Sequence, residues 1–441
     1  MRDSFRALYL HVPFCVQRCA YCDFCTEAVA VDDARIDAHV VGLRRSLARA
    51  AEAGLLGSVQ TVYIGGGTPT FLGAERLDVL LSVVNDALAL DGAPVLLEFT
   101  VEANPDSLSS EMLDVLAARG VTRLSIGVQS LDDSVLATLG RVHDASAALD
   151  AVRRAVARIG NISADVICGV PGQTRASLAD TLARLLGTGV SHVSIYPLMV
   201  EEGTPLERAI EAGELPDMDE DEQAAHMLLA AETLQAAGLT RYEVASYALP
   251  GRESRHNTAY WTGAPYLGLG LGASSMMDAA DFETVQSTGV FDVQPVGDSG
   301  PSETLRFAQD DKRGVDRDCK GGMVQDDEGS LVVLCECVTD GAARVRVAMT
   351  GKNGTPEIEC LTMCEAACED AMLAMRMSAG IARGRLKELA THAPGLLAAA
   401  DQAVSLDLAR WTQSGTRLVP TERGWLMGNE LYSLFWDCAS L

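Results

Sequence analysis

The chain has 441 residues, 48% hydrophobic and 22% charged, enough for one large folded unit and one or two smaller ones. Lys and Arg number 35 against 61 Asp and Glu; the net charge of −26, with no basic stripe, argues against nucleic acid and anionic lipid as partners. The opening MRDSFRALYLHVPFC lacks the apolar run and cleavage site of a leader, and no stretch is apolar enough to span a membrane, so a cytoplasmic chain is expected, its 12 cysteines free of structural disulfides.

Apolar, β-branched runs at 7–12, 59–64, 95–102, 123–128, 162–170 and 192–199 alternate with helical patterns near 32–53, 74–90, 109–118, 132–139, 145–159 and 175–188. Gln173-Thr174 opens the last of these helices, and Gly187 and Gly189 close it. Such β-then-α repeats predict a parallel sheet with right-handed crossovers, covered on both faces. Six units are fewer than the eight of a closed barrel, so the fold class expected is α/β, an incomplete (β/α)6 TIM-like barrel. The barrel is assigned to 1–200 and an extension to 201–284, with two helices around an acidic turn over 205–239, then strand-like pieces and GLGLGASS. Residues 285–359 read as an insertion around one hairpin, LVVLCECV…ARVRVAM. Residues 360–441 read as a smaller, mostly helical, winged-helix-like domain.

Cys15, Cys19 and Cys22 follow the first strand with C-x3-C-x2-C spacing. Three thiolates on one loop can hold three irons of a cubane and leave the fourth open. A zinc site completed by Cys25, or unliganded core thiols, are the competing readings. The loop falls at the C-terminal end of a strand, where barrel enzymes place their sites. Gly65-Gly66-Gly67-Thr68-Pro69-Thr70 ends the second strand, and its free N–H groups suit an anion. Glu102 and Asn104 end the third strand, Gln129 the fourth, and Asp165 lies on the fifth. Polar groups in apolar strands need partners, and several near one face suggest a shared ligand.

Cys360, Cys364 and Cys368 recur every four residues and read as core thiols on one helical face. Cys335 and Cys337 share one side of a strand and, with Cys319, leave a zinc or redox site open.

The segments YLHVPFCVQRCAYCDF, GGGTPT, VEANPDS, RLSIGVQS, LGRVHD, DVICGVPGQT, YEVASYA and HNTAYW together resemble the radical-SAM superfamily, and within it the coproporphyrinogen-oxidase-like branch. The resemblance implies a [4Fe–4S] cluster on Cys15, Cys19 and Cys22, with S-adenosylmethionine (SAM) chelating the open iron. It implies that Tyr9 and Tyr21 lie against SAM, that Gly66, Gly67 and Thr68 meet its methionyl amine and carboxylate, and that Glu102, Gln129, Arg141 and Asp165 complete the pocket. The branch holds oxygen-independent coproporphyrinogen III oxidases and HemW-type heme chaperones. The short stretch before Cys15, Phe at position 24 where the oxidases resemble C-x-C, and HNTAYW favour the chaperone group. For that group, heme or another porphyrin is the cargo, His256 the candidate heme ligand, and a heme-acceptor protein the partner. A reductant such as flavodoxin or ferredoxin is implied, and a homodimer is compatible. An oxidase, or another radical-SAM porphyrin-modifying enzyme, is the alternative.

Overall fold

The computed structural model describes residues 5–217, 219–291, 322–325, 331–334, 342–349 and 356–440. Six strands run parallel in sequence order: β1 (Ala7–Val12), β2 (Thr61–Gly66), β3 (Glu98–Ala103), β4 (Arg123–Gln129), β5 (Ile162–Cys168) and β6 (His192–Pro197). Between them lie α1 (Ala34–Glu52), α2 (Ala74–Leu90), α3 (Ser110–Ala118), α4 (Asp133–Thr138), α5 (Ala145–Arg158) and α6 (Arg175–Leu186). Asp33, Ser109, Asp132, Asp144 and Thr174 start five of these helices by accepting first-turn N–H groups. Strand residues such as Leu8, Leu10, Val62, Ile64, Val101 and Ile126 are fully buried in the main core. Alternate residues turn the other way: Tyr9, Tyr63, Glu102, Ser125 and Asp165 meet one another or their neighbours through ring contacts and hydrogen bonds.

After α7 (Pro205–Glu211) and α8 (Glu220–Ala236), β7 (Thr240–Arg241) and β8 (Ser246–Ala248) add antiparallel strands beyond β6. HNTAYW forms the core of a helix, α9 (Arg255–Trp261), in a region read only as strand-like. Next, β9 (Tyr266–Leu269) returns to lie parallel to β1 on its other side. Then come β10 (Ser274–Met277) and α10 (Ala279–Thr288).

The predicted hairpin is corrected. β12 (Leu331–Leu334) pairs with β11 (Gly322–Gln325), whereas β13 (Arg344–Ala348) joins the main sheet between β10 and β14 (Glu357–Leu361). An apolar run marks the first strand and alternation the second, but neither says which neighbour the strand takes. Among the described residues, the main sheet has 12 strands in the order β14-β13-β10-β9-β1-β2-β3-β4-β5-β6-β8-β7, and the barrel does not close.

The C-terminal part is mostly helical: α11 (Met363–Ala374), α12 (Arg383–Leu389), α13 (Gly395–Ser405), α14 (Glu422–Leu426) and α15 (Gly428–Trp436). A three-stranded wing of β15 (Ile381–Ala382), β16 (Ala409–Trp411) and β17 (Arg417–Pro420) accompanies them. Leu386, Leu396, Leu418, Leu431 and Phe435 form its own core. Contacts that join it to the rest include buried Glu369 paired with Arg344 and Arg346, the Ser378 N–H donating to Tyr242 O at 3.0 Å, and the Arg376 guanidinium 5.3 Å from the Trp261 ring.

The shared helical face for Cys360, Cys364 and Cys368 is also corrected. Thr362 and Glu365 form a capping box that starts α11 after Cys360, which therefore belongs to β14. Cys319, Cys335 and Cys337 lie outside the described residues. Among the described residues, no helix is long and apolar enough to cross a membrane.

Candidate functional site

β1 carries the chain to the C-terminal mouth of the barrel, where Phe14–Cys15 pairs with Glu27–Ala28 and closes the cysteine loop at its base. Cys15, Cys19 and Cys22 are all partly exposed there. Each thiol has a polar neighbour from this chain. Cys15 Sγ is 3.5 Å from Thr68 Oγ1, Cys22 Sγ is 3.8 Å from Thr26 Oγ1, and Arg141 Nη1 donates to Cys19 Sγ at 3.3 Å. Burial pushes the Cys15 thiol up to about 11, against the Thr68 hydrogen bond, while Cys22 and Cys19 push it further up. The three thiols are thus electrostatic neighbours.

Cys25 stands apart. Burial raises its thiol too, but the charges acting on it are Glu27 and Arg18, and it packs on Gly272. Among the described residues, no trio of His, Cys, Asp or Glu is disposed to share one metal ion. A cubane, whose thiolates each take a different iron, does not ask for that convergence. The donor set of three neighbouring partly exposed thiols, with a cation on one of them, fits such a cluster.

The glycine turn packs directly behind the loop. Gly66 has φ +110°, and a Cβ there would stand 2.5 Å from the His11 ring; one on Gly67 would stand 2.7 Å from Phe14 O. The sequence expectation of free N–H groups is corrected. Gly66 N–H donates to Glu102 Oε2 at 3.0 Å, Gly67 N–H to Val12 O at 2.8 Å and Thr68 N–H to Phe14 O at 2.9 Å. Parallel pairing with β1 and the inward Glu102 take these donors.

Glu102 also accepts from Tyr63 Oη at 2.6 Å. Burial raises its carboxyl to about 7, more than these hydrogen bonds lower it. Burial likewise raises Asp165, which accepts from Ser125 Oγ at 2.8 Å and Ser163 Oγ at 3.1 Å. Gln129 closes β4 at φ +64°, where the pairing with β5 shifts register. A non-glycine residue held there costs about 1–3 kcal/mol, the kind of strain that clusters at functional sites. Arg141 is wedged between Tyr21, Cys19 and Asn104. Tyr9 donates to or accepts from His11 Nδ1 at 3.0 Å, and its ring lies 6.1 Å from that of Tyr63.

His256 is not brought to this mouth. It lies against Thr61, the first residue of β2, whereas Gly66 is the last, about 17 Å away along a strand. Its imidazole is fully buried, with Nδ1 3.0 Å from Thr61 Oγ1 and Nε2 2.8 Å from Tyr260 Oη. Burial lowers its pKa to about 3, and Arg123 lowers it further. The buried Glu98 carboxylate accepts the N–H groups of Arg255 and His256 at 2.9 and 3.1 Å and fixes the start of α9 at the barrel floor. A cavity of about 320 Å³ reaches from this helix towards the mouth, lined among others by Tyr9, Tyr63, Glu102, His256, Tyr260 and Tyr266. Sequence reasoning left out Tyr63, hidden in an apolar run, whereas Asn104, named with Glu102 at the end of the third strand, is brought beside Thr68 and Arg141.

The family model for the radical SAM superfamily matches residues 9–185. The heme chaperone HemW of Mycobacterium tuberculosis is 43% identical over 268 residues, 60% of this chain and 68% of that protein. The heme chaperone HemW of Bacillus subtilis is 36% identical over 270 residues, 61% and 70% of the two chains. This chain belongs to the HemW family. Among solved structures, the coproporphyrinogen III oxidase of Escherichia coli, a radical SAM enzyme, superposes with a TM-score of 0.69 over 98% of this chain and 90% of its own, at 18% identity. That likeness gives the HemW-family chain the radical SAM fold, and the radical SAM match implies a [4Fe–4S] cluster and SAM.

Proposed function

We propose that this chain is a heme chaperone, which binds heme and hands it to acceptor proteins, and that it carries a [4Fe–4S] cluster and SAM at the barrel mouth. The observation that carries the reading is the 43% identity to a heme chaperone over 268 residues. Cys15, Cys19 and Cys22 would hold the cluster, with one iron left for SAM. A bound cluster supplies an electron for reductive opening of a sulfonium.

The chain's own groups would do the rest. Arg141 brings a permanent positive charge towards the ligand carboxylate. Glu102, Gln129 and Asp165 supply hydrogen-bond acceptors, and Tyr9 and Tyr21 flank the ligand. With the N–H groups of Gly66, Gly67 and Thr68 engaged, that turn would meet the ligand's ammonium through carbonyl oxygens. A flavodoxin or ferredoxin reductant, a cytoplasmic setting and a homodimer complete the proposal.

The oxidase alternative is less well supported, because the position where its pattern has a cysteine is Phe24, 68% exposed. Anaerobic reconstitution with iron and sulfide, followed by heme titration and incubation with SAM, reductant and coproporphyrinogen, tests the reading. Stable heme uptake without turnover is expected; protoporphyrinogen formation rejects the chaperone assignment.

His256 can ligate heme iron through Nε2 only after Tyr260 releases it. Tyr260→Phe should therefore tighten heme binding and His256→Ala abolish it, read by Soret titration. Equal affinity in both variants would remove His256 from the heme site.

A further inference from the structure

We propose that Thr68, Asn104 and Arg141 form a clasp across two of the three cluster thiols and raise the cluster's reduction potential. The inference rests on the cluster assignment above and names positioning residues for it.

The links are continuous. Cys15 Sγ is 3.5 Å from Thr68 Oγ1; Asn104 Nδ2 donates to that hydroxyl at 2.8 Å; Arg141 Nη2 donates to Asn104 Oδ1 at 2.6 Å; Arg141 Nη1 donates to Cys19 Sγ at 3.3 Å. The direction of every hydrogen follows from chemistry. A guanidinium only donates, so the amide oxygen of Asn104 must face it. The amide nitrogen then faces Thr68, whose hydroxyl accepts there and has its own hydrogen left for Cys15. Both ends of the clasp therefore point donors at sulfur.

Its three members come from three separate segments, following β2, β3 and α4, and the surroundings hold them in place. Arg141 Nη2 also donates to Gly127 O at 2.9 Å, and Thr68 is 3% exposed. A Cβ on Gly127 would stand 2.9 Å from Asn104 Oδ1 and 3.4 Å from Arg141 Nη2, so glycine there leaves room for the link. Cys22 lies outside the clasp, next to Thr26 instead. Hydrogen bonds and positive charge at cluster sulfurs favour the more negative, reduced state and so raise the potential. Arg141 also borders the proposed SAM pocket, so a ligand carboxylate that draws on this guanidinium would be felt at Cys19.

The test is potentiometry of the reconstituted full chain without SAM, followed by electron paramagnetic resonance, with iron and sulfide counted for each variant. Asn104→Ala and Thr68→Val should each weaken one-electron reduction about tenfold, a fall of about 59 mV. Thr68→Ser, which keeps the hydroxyl, should match wild type; a purely structural role would not separate Ser from Val in this way. Should Asn104→Ala fail to hold iron, the Thr68 pair decides. Wild-type potentials in iron-replete Asn104→Ala and Thr68→Val overturn the clasp and leave the cluster assignment standing. A wild-type chain that takes up no iron overturns both.

Discussion

Gly67→Ala isolates the close packing of the glycine turn behind the cysteine loop. The added methyl would stand 2.7 Å from Phe14 O and 2.9 Å from both Phe14 N and Val12 O. All three are backbone atoms, so no side chain can rotate away and the end of β1 must move. Overpacking of this kind costs about 1–3 kcal/mol. The segment that moves includes Phe14, whose neighbour Cys15 should lose its place beside Thr68. Gly42→Ala is the control: it lies in α1 with nothing within 4 Å of a new Cβ, and should gain about 0.5–1 kcal/mol. Urea unfolding followed by circular dichroism, with iron content after reconstitution, reads both effects. A Gly67→Ala chain with the wild-type midpoint and full iron content would refute the packing argument.

Stability should fall as pH drops from about 6 to about 5, because burial lowers His11 and His39 to about 4 and His256 to about 3, so the unfolded chain binds more protons than the folded one. Glu102, raised to about 7, works in the opposite sense, as do Asp165, Glu243 and Asp23, also raised by burial, whereas burial lowers His192 and His226 too, so five histidines stand against four carboxyls; a urea midpoint that rises on acidification would contradict this. Glu369→Ala should cost about 1–3 kcal/mol: it removes the buried carboxylate shared by Arg344 and Arg346, but Arg344 keeps Asp370 and Arg346 keeps Glu359, so neither charge is left unpaired. Limited proteolysis between the sheet and the C-terminal part should speed up in that variant; an unchanged rate would show that the pairing does not join them.

The six parallel strands were legible because strands covered on both faces read as unbroken apolar runs. Even so, β2 ends two residues later than read, because Gly65 and Gly66 still pair with His11 and Val12 while looking like a turn. Helix α9 was not legible. It has seven residues and no apolar stripe, and its start is fixed by Ser254 and by Glu98, far away in sequence. The cysteine loop was legible from its spacing and Asn104 from its place beside Glu102 at a strand end, but Tyr63 becomes a site residue only once neighbouring strands align it. The left-handed turn at Gln129 carries no local signal, since glycine or asparagine is the usual occupant.

The strand that bears the cysteine loop sits between β2 and β9, and Ala7 to Leu10 pair with Tyr266 to Leu269 on that second side. On the ribosome, one flank of β1 waits until more than half the polypeptide has emerged. Contacts this distant in sequence form late and slowly. Iron loading during translation would meet a half-framed platform, so the proposed cluster is expected to be loaded after synthesis. Chains cut short before Tyr266 should acquire little iron however intact their thiols.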